Sequence, residues 1–236
     1  MDDFALWRYE EAMTRRKPAA AASLLPALLL AAAFLAPPPP ARAHDPGEAE
    51  CVCRKAGAAG VWCDRHALGH LAGLTIRSKM LFEALDAHGH ELDLSTFRCP
   101  ACRRAIETDG YCDEHRTGFV GKLAYFSRLT YELARGELRD PAGISCPDCR
   151  RLAGGGQGWC GACRLGMLGP VAIRDRSRYE TAARAAEIVR EADLMARRCE
   201  HCALAMVADD ECPFCRITYK DGRPAKTRQP AAVPSP

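Results

Sequence analysis

Cysteine is the residue type that stands out in this chain, with 14 among 236 residues. Most of the cysteines form Cys-x-x-Cys pairs, and a second pair follows each first pair after nine or ten residues. Thiols at this spacing either bind zinc or form disulfides. Two of the second pairs end in histidine, at His66 and His115. Because imidazole replaces thiolate on zinc but not in a disulfide, the pattern favours metal.

The cysteines and these two histidines make four sets of four predicted ligands. The sets are Cys51, Cys53, Cys63 and His66; Cys99, Cys102, Cys112 and His115; Cys146, Cys149, Cys160 and Cys163; and Cys199, Cys202, Cys212 and Cys215. The predicted cofactor is therefore Zn²⁺ at four sites. Under the disulfide alternative, each of the first two sets would leave one cysteine over. A c-type haem is excluded, since the sequence contains no Cys-x-x-Cys-His.

The first set is the least regular, because Cys51-Val-Cys53 is one residue short. Such a site could be labile or could favour copper through its soft thiolates. His88 and His90 lie nearby in sequence, and His44 would begin a chain cleaved after residue 43. These three histidines are candidate accessory ligands, although His88-Gly89-His90 could equally be a polar turn.

The form Cys-Pro-x-Cys occurs three times, beginning at Cys99, Cys146 and Cys212. With a second pair after nine or ten residues, the layout resembles the short ribbons of double-zinc-ribbon proteins over about 17 residues of each unit. The resemblance implies structural, non-catalytic zinc sites. In such a site each pair wraps a tight turn, and a hairpin brings the two turns together.

Similarity between the units extends beyond the ligands. An aromatic residue precedes the third ligand, a glycine follows the fourth by three residues, and a basic residue, an aromatic residue and a glutamate follow at fixed offsets. In chain order these are Trp62, Gly69, Lys79, Phe82 and Glu83; Tyr111, Gly118, Arg128, Tyr131 and Glu132; and Trp159, Gly166, Arg176, Tyr179 and Glu180. The recurrence predicts a duplicated unit. We expect the glycine to permit a turn, the rings to cover the metal and the charged residues to be solvated.

Segments rich in helix-forming residues predict helices over 75–87, 123–136 and 176–197. In the last segment Tyr179, Ala183, Ala186, Val189 and Leu194 recur at helical spacing. The predicted fold class is a small, metal-stabilised α+β protein with four zinc-ribbon-like knuckle pairs separated by α-helices. The predicted repeats span 44–98, 99–145, 146–198 and 199–222, the last without a helix, and a disordered tail follows at 223–236.

Residues 1–43 are predicted to be an export signal. Arg15, Arg16 and Lys17 precede an apolar run over 19–36, and Ala41-Arg42-Ala43 matches a signal peptidase site. The protein would then be periplasmic or secreted. Left uncleaved, the run would anchor the protein with its repeats outside the cytoplasm, and this is the one membrane contact we expect. The alternative is a disordered leader on a cytosolic protein. An oxidising compartment opposes free thiolates, so metal would have to bind early.

The charge of the chain argues against a nucleic-acid partner. The net charge of +3 falls to about +2 without residues 1–43, and four loaded zinc sites lower it to about −4. We find no open metal site with a general base, so catalysis is not expected. The sequence predicts a non-catalytic scaffold or interaction module for an unidentified envelope protein. Zinc or copper buffering or delivery is the alternative, and thiol-disulfide redox chemistry is the third hypothesis.

Overall fold

The computed structural model describes Cys53, residues 60–91 and residues 93–225. The predicted export signal, His44, Cys51 and residues 226–236 lie outside these ranges. Within them the chain is mixed α+β, as predicted, with six α-helices and four small antiparallel sheets. None of the helices in these ranges is long and apolar enough to cross a bilayer.

The helices, numbered in chain order, are α1 (Lys79–Leu85), α2 (Pro100–Glu107), α3 (Arg128–Ala134), α4 (Pro147–Ala153), α5 (Arg176–Ala196) and α6 (Glu200–Ala208). The strands are β1 (Val61–Cys63), β2 (Leu68–Leu71), β3 (Leu74–Ile76), β4 (His90–Glu91), β5 (Tyr111–Cys112), β6 (Thr117–Val120), β7 (Leu123–Tyr125), β8 (Glu137–Leu138), β9 (Gln157–Cys160), β10 (Leu165–Leu168), β11 (Val171–Ile173), β12 (Tyr219–Lys220) and β13 (Arg223–Pro224). Short 3₁₀ turns lie at Leu94–Thr96 and Pro141–Gly143.

The sheets link one predicted unit to the next. Their strand orders are β1-β2-β3, β4-β7-β6-β5, β8-β11-β10-β9 and β12-β13. In each four-stranded sheet the outer strand comes from the preceding unit: His90 of β4 pairs with Ala124, and Glu137 of β8 pairs with Ala172. Strands β4 and β8 therefore complete the sheets of the second and third units, although they belong in sequence to the first and second units.

Two of the predicted helices begin later than expected. The segments 75–87 and 123–136 both open with a strand, β3 and β7, and their helices start only at Lys79 and Arg128. At the first of these starts the Ser78 hydroxyl caps the helix by accepting from the Leu81 N–H at 3.1 Å. The third predicted helix is confirmed to within one residue as α5. Leu194, expected on its apolar face, is instead exposed.

Three helices were not predicted. Helices α2, α4 and α6 each begin directly after the first cysteine of a pair, so that the second cysteine lies on the first helical turn. Pro100 and Pro147 occupy the first helical position, where a missing N–H costs nothing. The first pairs of the second, third and fourth sets therefore do not wrap ribbon turns.

The last predicted repeat and the tail also need correction. Residues 199–222 were expected to lack a helix, yet they contain α6. The tail was expected to begin at residue 223, but Arg223–Pro224 pairs with Tyr219–Lys220 as a small hairpin. The hairpin is held down by Tyr219, which is buried in the main core.

Helix α5 lies at the centre of that core. Its buried face packs with apolar residues of β3, β10, β11, α1, α3 and α6. Two smaller apolar clusters lie outside this core. One is formed between α2 and the second sheet, and the other between α4 and the third sheet. Because the first unit also contacts the third and fourth, the units form one joint core and not a linear stack.

The recurring glycine serves close packing and not a turn. Gly69, Gly118 and Gly166 lie within strands β2, β6 and β10. A Cβ on Gly118 would stand 2.1 Å from the ring of Tyr131, which lies on the following helix. The same added atom would stand 2.3 Å from Phe82 at Gly69 and 2.2 Å from Tyr179 at Gly166. Only glycine lets each ring rest directly on its sheet.

Candidate metal centres

Four Cys/His groups are positioned to bind a metal ion, and the donor atoms within each group lie within 4.8 Å of one another. The groups are Cys53, Cys63 and His66; Cys99, Cys102, Cys112 and His115; Cys146, Cys149, Cys160 and Cys163; and Cys199, Cys202, Cys212 and Cys215. We call them centres 1 to 4. The remaining predicted ligand of centre 1, Cys51, lies outside the described residues.

In centre 2, a helix start and a hairpin turn supply the donors. Cys99 caps α2 and Cys102 lies on its first turn, while Cys112 ends β5 and His115 lies in the turn before β6. Centre 3 repeats this layout with α4, β9 and β10. In both centres, binding an ion would tie the ligand helix to the sheet that it covers.

The sulfur distances fit a tetrahedral ion. With zinc–sulfur bonds of about 2.3 Å, two sulfurs of a tetrahedron are about 3.8 Å apart. The observed separations are 3.9 Å for Cys146–Cys160, 3.9 Å for Cys199–Cys212 and 3.8 Å for Cys199–Cys215. A disulfide would need about 2.05 Å. None of the cysteines of centres 2 to 4, all of which lie in the described part of the chain, forms a disulfide.

The histidine distances fit the same geometry. A zinc–nitrogen bond of about 2.0–2.1 Å places nitrogen and sulfur about 3.5 Å apart on a tetrahedron. His66 Nδ1 lies 3.3 Å from Cys63 Sγ and 3.4 Å from Cys53 Sγ. His115 Nδ1 lies 3.4 Å from Cys102 Sγ and 3.6 Å from Cys112 Sγ. In both centres Nδ1 is the nitrogen that faces the sulfurs.

The ligands within each centre differ in how deeply they are buried. In centres 2 to 4 the second and third ligands are buried, whereas Cys163 and Cys215, the last ligands of centres 3 and 4, are exposed. Backbone N–H groups also point at the sulfurs: Cys202 N–H donates to Cys199 and Cys215 N–H donates to Cys212, both at 3.4 Å. Such donors favour the thiolate form that metals bind.

Burial without a cation favours neutral thiols. Desolvation raises the pKa of Cys202 to about 12, although a hydrogen bond with Tyr219 works against the rise. Desolvation also raises the pKa of Cys102 and Cys149. The pKa of the outer Cys146 is lowered to about 7, chiefly by the backbone N–H of Cys149. Cys102, Cys149 and Cys202 therefore need a metal ion to become thiolates at neutral pH. At the equally buried Cys212, desolvation is outweighed by backbone hydrogen bonds from Cys215 and Phe214, so its pKa is lowered.

Aromatic rings flank the third ligand of centres 1 to 3. Trp62 and Phe82, Tyr111 and Tyr131, and Trp159 and Tyr179 have ring centroids 5.5, 5.3 and 5.7 Å apart. The recurring basic side chain contacts the first ring of each pair. The Arg128 guanidinium lies 4.1 Å from the Tyr111 centroid, and Lys79 and Arg176 make longer contacts of this type. Lys79 and Arg176 are exposed, as expected of solvated cations, whereas Arg128 is half-buried and packs closely on its ring.

The recurring glutamates differ in environment. Glu132 was expected on a solvated face, yet it is fully buried. Its carboxylate lies 3.1 Å from Arg128 and accepts from Arg178 of α5 at 3.0 Å. Glu180, at the equivalent position of the third unit, is exposed and pairs with Arg176 at 2.9 Å. Sequence reasoning missed the buried pair because Arg178 lies 46 residues beyond Glu132.

The accessory histidines do not join centre 1 in the part of the chain that the structure describes. His90 lies on β4 in the second sheet, where its Nε2 is 3.2 Å from an Asp86 carboxylate oxygen. His88 acts on the same carboxyl electrostatically. Burial raises the pKa of Asp86, and the two histidines work against that rise. His44 lies outside the described residues.

No family model, curated protein or solved structure matches the chain. The likeness to zinc ribbons therefore rests on ligand spacing and on the four Cys/His groups, and their donor set is that of a thiolate-rich, tetrahedral metal site.

Proposed function

We propose that this chain is an exported zinc-binding protein that acts without catalysis, as a scaffold or interaction module for another envelope protein. The observation that carries the zinc assignment is the spacing of the donors, 3.8–3.9 Å between sulfurs and 3.3–3.6 Å between nitrogen and sulfur. Four protein donors around one ion are typical of structural zinc, whereas catalytic zinc keeps one position open.

A structural role fits the small size of the parts that each ion would join. Helix α2 covers its sheet with a cluster that holds only six buried residues among those described. An apolar cluster of this size gives too little stability to keep a helix folded on its sheet. Structural zinc contributes about 10–16 kcal/mol of apparent binding energy at neutral pH. The metal would thus hold the ligand helices on their sheets.

A scaffold role fits the apolar side chains left on the surface. Leu138, Leu194 and Phe214 are the large hydrophobic residues exposed in the described part of the chain. Phe214 lies between two ligands of centre 4 and stacks on His201 with ring centroids 4.3 Å apart. Exposed aromatic side chains of this kind are common anchors at protein interfaces.

Metal analysis of the mature protein from its native compartment tests the proposal, combined with a thiol count under denaturing conditions. We expect four zinc ions and fourteen thiols. Protein with no metal and no free thiols would overturn the zinc assignment. N-terminal sequencing of the same sample tests export, with His44 as the expected first residue.

Metal buffering or delivery is the second candidate, and the exposure of Cys163 and Cys215 favours it. Exposed ligands are the ones that a competing donor reaches first. The rate of zinc release to a weak chelator separates the two functions, since release within minutes would favour delivery and retention would favour a scaffold.

A further inference from the structure

A groove of about 470 Å³ opens beside centre 3. Three of the four ligands of that centre, Cys146, Cys149 and Cys163, line it. Leu138 and Ile144 supply apolar wall. The volume is within the range of small-ligand sites, which is about 300–1,000 Å³.

The groove gives a small molecule access to the sulfurs. Cys163 is exposed and Cys146 is half-buried, so both can be reached from solvent. Centre 2 differs, because its outer Cys99 sulfur lies 3.3 Å from the Glu114 carboxylate. A carboxylate at that position repels an incoming anion. The equivalent sulfur of centre 3, Cys146 Sγ, instead lies 3.9 Å from Cys160 Sγ and has no carboxylate contact among the hydrogen bonds of the described residues.

The side chains that line the groove indicate which kind of ligand it would bind. A thiolate is the ligand best suited to displace another thiolate from a soft, sulfur-rich site. Arg139 and Arg174 line the groove together with Glu137 and Asp140. One nitrogen of each arginine contacts Glu137, at 2.6 and 3.5 Å, and Asp140 accepts from the Ala142 N–H. Arg139 Nε is buried and has no hydrogen-bond acceptor in the described part of the chain. The rest of the Arg139 side chain is partly exposed, and it would have to turn to offer this donor to a ligand carboxylate in the groove.

We propose that centre 3 exchanges its metal ion with a small anionic thiol that enters through this groove. At a zinc-loaded centre, the incoming thiol would lose its proton and take the place of Cys163 Sγ, which would take up a proton as it leaves. Further thiols or a chelator would replace Cys146, Cys149 and Cys160 in the same way, with one proton released and one taken up at each sulfur, and the ion would leave with the incoming donors. No oxidation state changes. The inference rests on the proposed zinc binding and makes one of the four ions exchangeable.

The test uses the full chain loaded with four zinc ions, glutathione as the probe thiol and a chromogenic zinc chelator. We expect glutathione to speed the release of one ion at least tenfold over the chelator alone. Alkylation after that first release, located by mass spectrometry, should fall on Cys146, Cys149, Cys160 and Cys163. Labelling spread evenly over the four centres, or no acceleration, would overturn the proposal.

Groove variants separate this route from general lability. Leu138→Trp fills the groove from an exposed position and should reduce the acceleration at least fivefold, whereas Leu194→Trp, at an exposed leucine outside the groove, should leave it unchanged. Arg139→Gln should slow release by glutathione but not by uncharged 2-mercaptoethanol. Equal behaviour of the two tryptophan variants contradicts the proposal. Protein that binds no zinc would refute the proposed function itself. Protein that binds four zinc ions and releases them at the same rate with and without thiol would refute only this inference.

Discussion

The carboxylate of Asp193, on helix α5, accepts a hydrogen bond of 3.1 Å from the backbone N–H of Ser78, the residue that caps helix α1. The same oxygen accepts from the Arg77 N–H at 2.6 Å, and the Asp193 side chain is almost completely buried. These residues are more than a hundred positions apart in sequence. The long helix thus fixes the start of a helix that belongs to the first unit.

Replacing Asp193 with alanine should destabilise the protein by at least about 2 kcal/mol, because two backbone donors lose a charged acceptor in a buried place. Urea unfolding of the zinc-loaded protein measures the change. Glu191→Ala on the same helix is the matched control, since Glu191 is exposed, and it should change stability by less than about 0.5 kcal/mol. Equal changes in the free energy of unfolding for the two variants would show that the hydrogen bonds to Asp193 do not stabilise the protein.

Glu132→Gln should cost about 3–5 kcal/mol, since it leaves the buried Arg128 and Arg178 contacts without their counter-charge. Glu180→Gln removes the glutamate at the same offset in the next unit, where the ion pair is exposed, and should cost less than about 1 kcal/mol. Thermal and urea unfolding of the two variants, compared side by side, provide the measurement. A similar loss in both would contradict the burial of Glu132.

These two glutamates show what the sequence could and could not predict. The grouping of Cys and His residues was predictable because each pair is local and the two pairs of a set are about ten residues apart. The environments of Glu132 and Glu180 were not predictable, since they depend on how α5 packs. The starts of α2 and α4 could have been found, because Cys-Pro is a helix-start signal when the proline takes the first helical position.

Gly118→Ala should destabilise the protein by about 1–3 kcal/mol or more, because the added carbon would overlap the Tyr131 ring. Gly143→Ala is the control: a Cβ there would meet nothing within 4 Å, and the residue has no positive φ. Unfolding midpoints at constant zinc concentration measure both effects. A neutral Gly118→Ala would mean that the ring can move away at little cost.

Removal of metal should unfold much of the chain, because the ligand helices α2 and α4 are joined to their sheets chiefly by the centres and by small apolar clusters. Far-ultraviolet circular dichroism during exhaustive chelation follows the loss, and added zinc should restore the spectrum. Acid should act in the same direction, since protons compete with the metal for the sulfurs. An unchanged spectrum after complete chelation would argue against structural metal.

His115 offers the most direct test of metal ligation over disulfide bonding. It stands where centres 3 and 4 have Cys163 and Cys215, and its Nδ1 faces two sulfurs. His115→Cys should therefore still bind four ions, and its cobalt-loaded form should absorb at longer wavelength, because a sulfur donor has a weaker ligand field than nitrogen.

His115→Ala should lower the affinity for one of the four ions at least tenfold, since centre 2 then keeps only three protein donors. His90→Ala is the control, because His90 lies on β4 beside Asp86 and not in a Cys/His group, and it should bind all four ions with unchanged affinity. Metal titration of the three variants distinguishes the cases. If His115→Ala binds four ions as tightly as the unmodified protein, the imidazole is not a ligand, and centre 2 would have to recruit its fourth donor from elsewhere.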